Sequence, residues 1–591
     1  MRAMNFLMPF CLWALAACGG PSGETIAPAP EAAPEAMTTE RAAEGAIPAA
    51  DLVFWGGNIH TANDNQPTVQ AVAVQAGRIV FAGPQAGAEI WIGAHTRVVD
   101  LNGGAMYPGF TDSHVHVMGV GARERTLNLD DVTSIADLQA RIAAAAAELD
   151  AGSVLYGRGW IETHWPEGRF PNRHDLDAVA PDHAVILTRA DGHASVANSL
   201  ALQQAGIGVD SVAPDGGEIL REASGEPDGM LIDAAQYAVY SLIEQPSGSV
   251  RADTYAQGAQ VMASLGWTGA HDMSVPYEDV AMIEALADAG RLPIRDYISI
   301  NPGGYSRLAA ETPRIAADGL VITRAVKMYM DGALGSRGAA LLEPYSDRPE
   351  SSGLLFPEGD EMLGVMTEAL RSGVQINVHA IGDRGNRVLL DWIEEAMAAV
   401  PADERALPEH RWRDEHSQII EPTDIPRFAE LGVIASMQPS HAIGDLYFAP
   451  ARLGAERLAG AYAWQSLLDA GAHLIGGSDA PVERGDPRIE FYAATARASL
   501  DGFQGDDWHG EEALSRQDAL KLFTAWPAHA SFREDELGTI EQGRIADLTI
   551  FSADIMTIPE AEILTVQPWM TVVDGEVVFE APDAFHQSDE G

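Results

Sequence analysis

The sequence predicts an α/β fold: a TIM-like (β/α)8 barrel, a small β-sandwich built from both chain ends, and a subdomain inserted over the barrel mouth. Three observations carry that expectation. Eight apolar, strand-like runs alternate with amphipathic helical stretches through the middle of the chain, and hairpin patterns lie near both ends. The first two of the eight runs are separated by about 150 residues, far more than a strand-to-helix connection needs. At 591 residues the chain exceeds what one core organises, so two or three structural units are expected.

The eight runs fall at residues 106–117, 268–274, 294–301, 325–333, 374–382, 411–418, 433–440 and 472–481. Helical periodicity appears between them at 254–265, 361–372, 387–399 and 461–470, with Gly266, Gly373, Gly432 and Gly471 just beyond the helix ends, where a left-handed residue closes a helix. Strands alternating with helices build a parallel sheet, closed as a barrel or open and doubly wound; the count of eight favours the barrel. The barrel is assigned to 106–530 and the insertion to about 123–250, which carries Gly157, Trp160, Trp165, Asp191, Gly192 and His193. Near the start, Val72 and Val74 alternate into Ile79 and Phe81 across an Ala76-Gly77 turn. Near the end, residues 572–578 form a hairpin around Asp574-Gly575, whose turn requires positive φ. Neither end has enough strands to bury a core alone, so 51–105 and 531–580 are expected to pair, leaving 581–591 as a tail.

The first residues read as an address. Arg2 precedes an apolar stretch, Phe6 to Ala17, that is short for a membrane span. Leu15-Ala16-Ala17-Cys18 resembles a bacterial lipobox, in which the cysteine is acylated and becomes the mature N-terminus; a plain secretory signal is the alternative. Gly19 favours the outer membrane, and residues 19–50, rich in Pro, Ala and Glu, read as a disordered tether. The expected location is therefore periplasm-facing and membrane-anchored through lipid on Cys18.

Composition narrows the chemistry. A formal charge of −49 repels phosphate backbones, which excludes nucleic acid as a partner class. The two cysteines, Cys11 and Cys18, both lie in the leader, so a metal in the folded body must be held by histidine and carboxylate. Oligomeric state is left open, a homodimer included.

The strongest local signal is Thr111-Asp112-Ser113-His114-Val115-His116. Residues two apart on a strand share a face, so His114 and His116 project together at the strand's C-terminal end, where barrel active sites form. Two histidines satisfied in a core would look the same. His379, His416 and Asp479 end three further runs, and a polar group emerging there from an apolar segment is costly without a partner. Lys327 lies within another run, with Asp331 as a candidate partner; near divalent cations its neutral amine can form a carbamate with CO2. No Gly-x-Ser-x-Gly elbow is present, so a serine hydrolase is disfavoured.

The ordered set His-x-His, Lys, His, His, Asp resembles the amidohydrolase superfamily. Longer strings resemble amidohydrolase family 3, the group containing N-substituted formamide deformylase: Met330-Asp331-Gly332-Ala333-Leu334-Gly335-Ser336-Arg337, Val378-His379-Ala380-Ile381-Gly382-Asp383-Arg384, Glu415-His416-Ser417-Gln418 and Gly477-Ser478-Asp479-Ala480-Pro481. The resemblance spans about residues 51–580. It implies two divalent metal ions, zinc foremost: His114, His116 and Asp479 on one, His379 and His416 on the other, and carboxylated Lys327 between them. It further implies hydrolysis of an amide or N-substituted formamide by a metal-activated hydroxide, with Asp479 as the catalytic proton shuttle. Trp160, His193, Tyr329, Arg337, Asp383 and His441 are candidates around the substrate, and His271, ending the second run, is a candidate to face the site. A non-catalytic lipoprotein that binds a small molecule or scaffolds partners is the competing class; a degenerate ligand set would mark it, and this set is complete.

Overall fold

The computed structural model describes residues 49–150, 152–163, 165–190, 192–214, 216–243, 247–356, 359–505 and 507–585, with the side chains of 359–361 left aside. The expected lipobox with Cys18, nearly all of the expected tether, Asp191 and the last six residues lie outside this set.

Eight parallel strands form a nearly closed barrel. In chain order they are Phe110–Val115, Trp267–Val275, Arg295–Ile300, Val321–Tyr329, Gln375–Ala380, Arg413–His416, Ile434–Met437 and His473–Gly476. Each pairs with its sequence neighbour, and the chain of pairings runs from the first strand to the eighth. Their residues are buried almost throughout, as a sheet covered on both faces requires. The helix Asp383–Ala399 shows how the outer layer is written: Gly385, Asn386, Leu389, Leu390, Ile393 and Ala396 form its buried stripe at helical spacing. The helix Gly248–Leu265 ends at Gly266 with φ 110°, a conformation that β-carbon sterics deny most residues.

Several boundaries differ from the sequence reading: the run 106–117 splits into Ala105–Pro108, in the terminal sheet, and Phe110–Val115, and 472–481 is strand only over His473–Gly476. The fourth strand begins at Val321 and stops at Tyr329, so the apolar run 325–333 is half strand and half loop. Beyond the exit Asp331 ties the following loop down, its carboxylate accepting backbone N–H groups from Ala340, Ile381 and Gly382 at 2.8–3.0 Å. The helix expected from 254 begins at Gly248, since its first turn is anchored by Arg251 on Asp279 rather than by apolar burial.

Both chain ends contribute to one continuous eight-stranded sheet. The C-terminal strand Leu548–Phe551 runs antiparallel to Ala105–Pro108, which pairs with Leu52–His60. An isolated bridge from Arg78 to Ile545 turns the N-terminal hairpin back toward the C-terminal strands, and Leu52, Phe54, Val72, Val74, Leu548, Ile550 and Val572 share the enclosed core. Between the first and second barrel strands lies a separate six-stranded sheet, from Leu127–Asn128 to Pro227–Asp233. Its own core contains Trp160, Trp165, Leu138, Leu176 and Leu187. Among the described residues no helix is long and apolar enough to cross a membrane.

One buried ion pair joins the terminal sheet to the barrel. Arg295, opening the third barrel strand, grips Asp547 through two contacts, Nε to Oδ2 at 2.5 Å and Nη2 to Oδ1 at 3.0 Å. Both residues are at most 8% exposed, so removing the cation strands a buried carboxylate. Arg295→Met is expected to lower stability by about 3–5 kcal/mol, read as a shifted denaturant midpoint; an unchanged midpoint would show that the pair is dispensable.

Candidate metal centre

The barrel seam makes the site. The eighth strand does not pair in register with the first; instead the segment just beyond it bonds to the first strand's upper end. Ser478 donates its N–H and its hydroxyl to Asp112, at 2.9 and 2.5 Å, while Asp479 N–H donates to His114 O at 2.6 Å. His116 N–H completes the stitch on Ala480 O at 2.9 Å. Gly477 permits this approach: a β-carbon there would lie 2.4 Å from the His114 nitrogen. Burial pushes the Asp112 carboxyl up to about 7, against the pull of the Ser478 and His114 donors.

The stitch sets the Asp479 carboxylate among histidines. Its Oδ1 lies 3.1 Å from His116 Nε2 and 3.6 Å from His114 Nε2. His416 packs in from the sixth strand, 4.7 Å between ring centres from His114, and His379 from the fifth, 4.5 Å from His416. Ligand atoms of His114, His416 and Asp479 all lie within 4.8 Å of one another. Lys327 enters from the fourth strand, 1% exposed, with Nζ 3.1 Å from His114 Nε2. His416 reaches the mouth because its backbone leaves the strand there at φ 82°.

Hydrogen bonds behind the rings decide which nitrogen faces inward. His114 Nδ1 lies 2.6 Å from Glu415 Oε2, His116 Nδ1 3.0 Å from Met273 O and His416 Nδ1 2.7 Å from Gln438 Oε1. All three partners are acceptors, so each Nδ1 carries the proton and each Nε2 presents a lone pair. His379 Nε2 is buried with no hydrogen-bond partner among the described residues, 3.6 Å from Asp331 Oδ1. Lone pairs thus converge on a carboxylate, an arrangement that repels itself until a cation enters. Nitrogen and carboxylate donors suit zinc, and the residues fit a divalent metal.

Electrostatics agree with ligand protonation states. Burial would raise the Asp479 carboxyl, but the imidazoles of His114, His116 and His416 hold it well below the usual carboxylate range to the extent that they carry protons, a part that a bound cation would take over once they present lone pairs. Burial, reinforced by Lys327, lowers His114 to about 4, and burial also holds His379 and His416 well below an ordinary imidazole. Burial lowers the Lys327 amine to about 8, although Glu415 and Asp479 pull upward.

Of the six residues expected as ligands, His114, His416 and Asp479 bring ligand atoms within 4.8 Å of one another, and His116, Lys327 and His379 lie beside them. Of the surrounding candidates, His441 reaches the centre, with Nε2 3.8 Å from Asp479 Oδ2. Its tautomer is opposite to that of the ligand rings: Gln418 Nε2 donates to His441 Nδ1 at 3.0 Å, so Nε2 holds the proton. Tyr329 packs its ring 5.7 Å from His379, and His193, bound to Asp233 at 2.8 Å, acts electrostatically on His379 from the inserted subdomain.

Four expectations are corrected. Trp160 is fully buried in the insertion's core, donating Nε1–H to Leu187 O at 3.0 Å, and Trp165 packs beside it, so neither offers surface to a substrate. Arg337 is spent on Asp347 at 2.8 Å. Asp383 accepts the Leu342 and Arg384 N–H groups at 2.8 and 2.9 Å, a loop-fixing role at the start of its helix. His271 lies inside the barrel against Arg413 rather than at the mouth. Sequence reasoning missed Glu415, Gln438 and Arg413. Strand alternation could have flagged the first and last, since Arg413 and Glu415 share a face of their strand.

A nearly closed parallel barrel carrying a histidine–carboxylate centre at the upper ends of its strands defines a metal-dependent hydrolase. The chain belongs to the amidohydrolase family, whose profile matches residues 97–579. It is 32% identical to YtcJ of Bacillus subtilis (strain 168) over 89% of this chain and 99% of that one. It is 27% identical to the N-substituted formamide deformylase of Arthrobacter pascens, over 90% and 98%. Among solved structures it is similar to an uncharacterized metal-dependent hydrolase from Pyrococcus horikoshii, with TM-score 0.69 and 25% identity over 86% of this chain and 99% of that one.

Proposed function

We propose that the protein hydrolyses an amide or N-substituted formamide with two zinc ions: one held by His114, His116 and Asp479, the other by His379 and His416, with carboxylated Lys327 between them. The observation that carries this reading is the set of inward lone pairs gathered on Asp479. Similarity to the Arthrobacter deformylase supports the substrate class. Bound cations supply the positive charge that makes water nucleophilic near neutral pH and polarises a carbonyl.

The chain's own groups move the proton. Asp479, ionised at neutral pH, accepts a proton from the attacking water as its oxygen bonds to the carbonyl carbon. The C–N bond then breaks, and Asp479 returns the proton to the departing nitrogen, giving a carboxylic acid and an amine. His441, with its proton on Nε2, faces Asp479 and steadies the carboxylate, while Tyr329 and His193 flank the substrate. The Lys327 amine, lowered to about 8, has a neutral fraction at physiological pH that attacks CO2, forming the N–C bond of a carbamate and releasing a proton. A one-cation working form is the second reading, favoured by the tight cluster of His114, His416 and Asp479.

The location belongs to the same proposal: a lipoprotein acylated on Cys18, facing the periplasm from the outer membrane. The lipobox-like Leu15-Ala16-Ala17-Cys18 and the following Gly19 support the anchor.

A panel of N-formyl, N-acetyl and N-acyl amines, assayed with zinc, should reveal turnover that chelation abolishes and metal restores; protein purified without chelator that holds no metal would sink the reading. Lys327→Ala should abolish turnover, with partial recovery on adding a short carboxylate, and undiminished activity would end the carbamate assignment. Cys18→Ser should move the protein from the membrane fraction to the soluble one; continued membrane retention would count against lipidation.

A further inference from the structure

The barrel interior beneath the centre is charged where apolar layers would fill such a space. Arg413 and Glu415, two apart on the sixth strand, are both 0% exposed. Glu415 Oε1 pairs with Arg413 Nε at 2.8 Å, and its other oxygen, Oε2, lies 2.6 Å from His114 Nδ1. Arg413 is fixed in turn: Nη1 donates to His271 Nδ1 at 3.0 Å, and Nη2 donates to the carbonyl of Ser113, the residue before His114. An isolated carboxylate at such depth is expensive, and a structural ion pair would be complete with Arg413 alone. Instead the carboxylate is divided, one oxygen for the guanidinium and one for the rear of a ligand imidazole.

We infer that Glu415 is a positioning residue of the metal centre: backed by Arg413 and His271, it fixes the ring and tautomer of His114 so that Nε2 meets the cation as a lone pair. A carboxylate only accepts, so Nδ1 must hold the proton, and a short charge-assisted bond leaves the ring one orientation. The same bond places negative charge behind the imidazole, which makes Nε2 a stronger donor to a cation. Glu415 is not itself a ligand. Its Oε1 faces the Arg413 guanidinium as an ion pair without an aligned hydrogen bond, and its Oε2, on His114, touches the ring nitrogen opposite to that facing Lys327 and Asp479. Arg413 links ring and backbone, because it holds Glu415 and the Ser113 carbonyl together and so sets the imidazole relative to its own strand. The arrangement rests on the metal-hydrolase reading of the site.

The test compares Co2+ binding by full-length protein in detergent, using chelator competition and the visible Co2+ spectrum. Glu415→Gln is expected to weaken binding about 10–100-fold and to shift the spectrum. Since Glu415→Gln leaves Arg413 buried without its counter-charge, the double variant Glu415→Gln with Arg413→Met is measured beside it. That variant carries no lone charge and is expected to recover the metal-free melting temperature while still binding weakly. In a His114→Ala background, Glu415→Gln should cause no further loss. Wild-type affinity and spectrum in the double variant, or a loss in the His114→Ala background as large as in wild type, would overturn the inference and leave the ion pair a purely structural one. A wild-type protein that binds no Co2+ would overturn the metal reading itself, and this inference with it.

Discussion

The structure turns on the seam between the last barrel strand and the first. A parallel barrel closes through ladder hydrogen bonds, yet here the closure falls to four bonds between residues 478–480 and Asp112, His114 and His116. Those same bonds bring the Asp479 carboxylate to the two histidines of the first strand, so closing the fold and assembling the centre are one event. The missing β-carbon of Gly477 lets the two backbones approach. Whatever loosens the seam parts Asp479 from His114 and His116 together.

Around this seam the protein arranges imidazoles by what stands behind them. Glu415, Met273 O and Gln438 each take an Nδ1 proton and turn an Nε2 lone pair inward, whereas Gln418 gives His441 the reverse tautomer. Four rings of one chemical type therefore serve two purposes, lone pairs for a cation and an N–H facing a carboxylate. Burial reinforces the division, since the low-polarity surroundings hold His114, His379 and His416 neutral.

The inserted sheet and the terminal sheet contact the barrel from outside. The insertion carries His193 toward His379, held by Asp233, and its tryptophans serve its own core. The terminal sheet grips the barrel through Arg295 and Asp547. A tryptophan reads alike in a sequence whether it faces a substrate or packs a core. Trp160 is settled only by the neighbours that surround it and by the Leu187 carbonyl its indole finds.

The sequence by itself determined the parallel α/β class and the residues able to bind a cation. Alternation along a strand and ridges along a helix are local properties, and His-x-His on a strand end points two ligands one way wherever the strand lies. With both cysteines confined to the first 18 residues, histidine and carboxylate were the remaining donors. Tertiary structure alone decided the path beyond the fourth strand, where Asp331 ties the loop to amides nine and fifty residues away in the chain, at Ala340 and Ile381. It likewise decided that Asp383 and Arg337 secure loops, and that Glu415 stands behind His114 across 301 residues of sequence. Each of these is a hydrogen-bond partnership between distant segments, and a partner supplied by another part of the fold leaves no period or spacing in the segment that receives it.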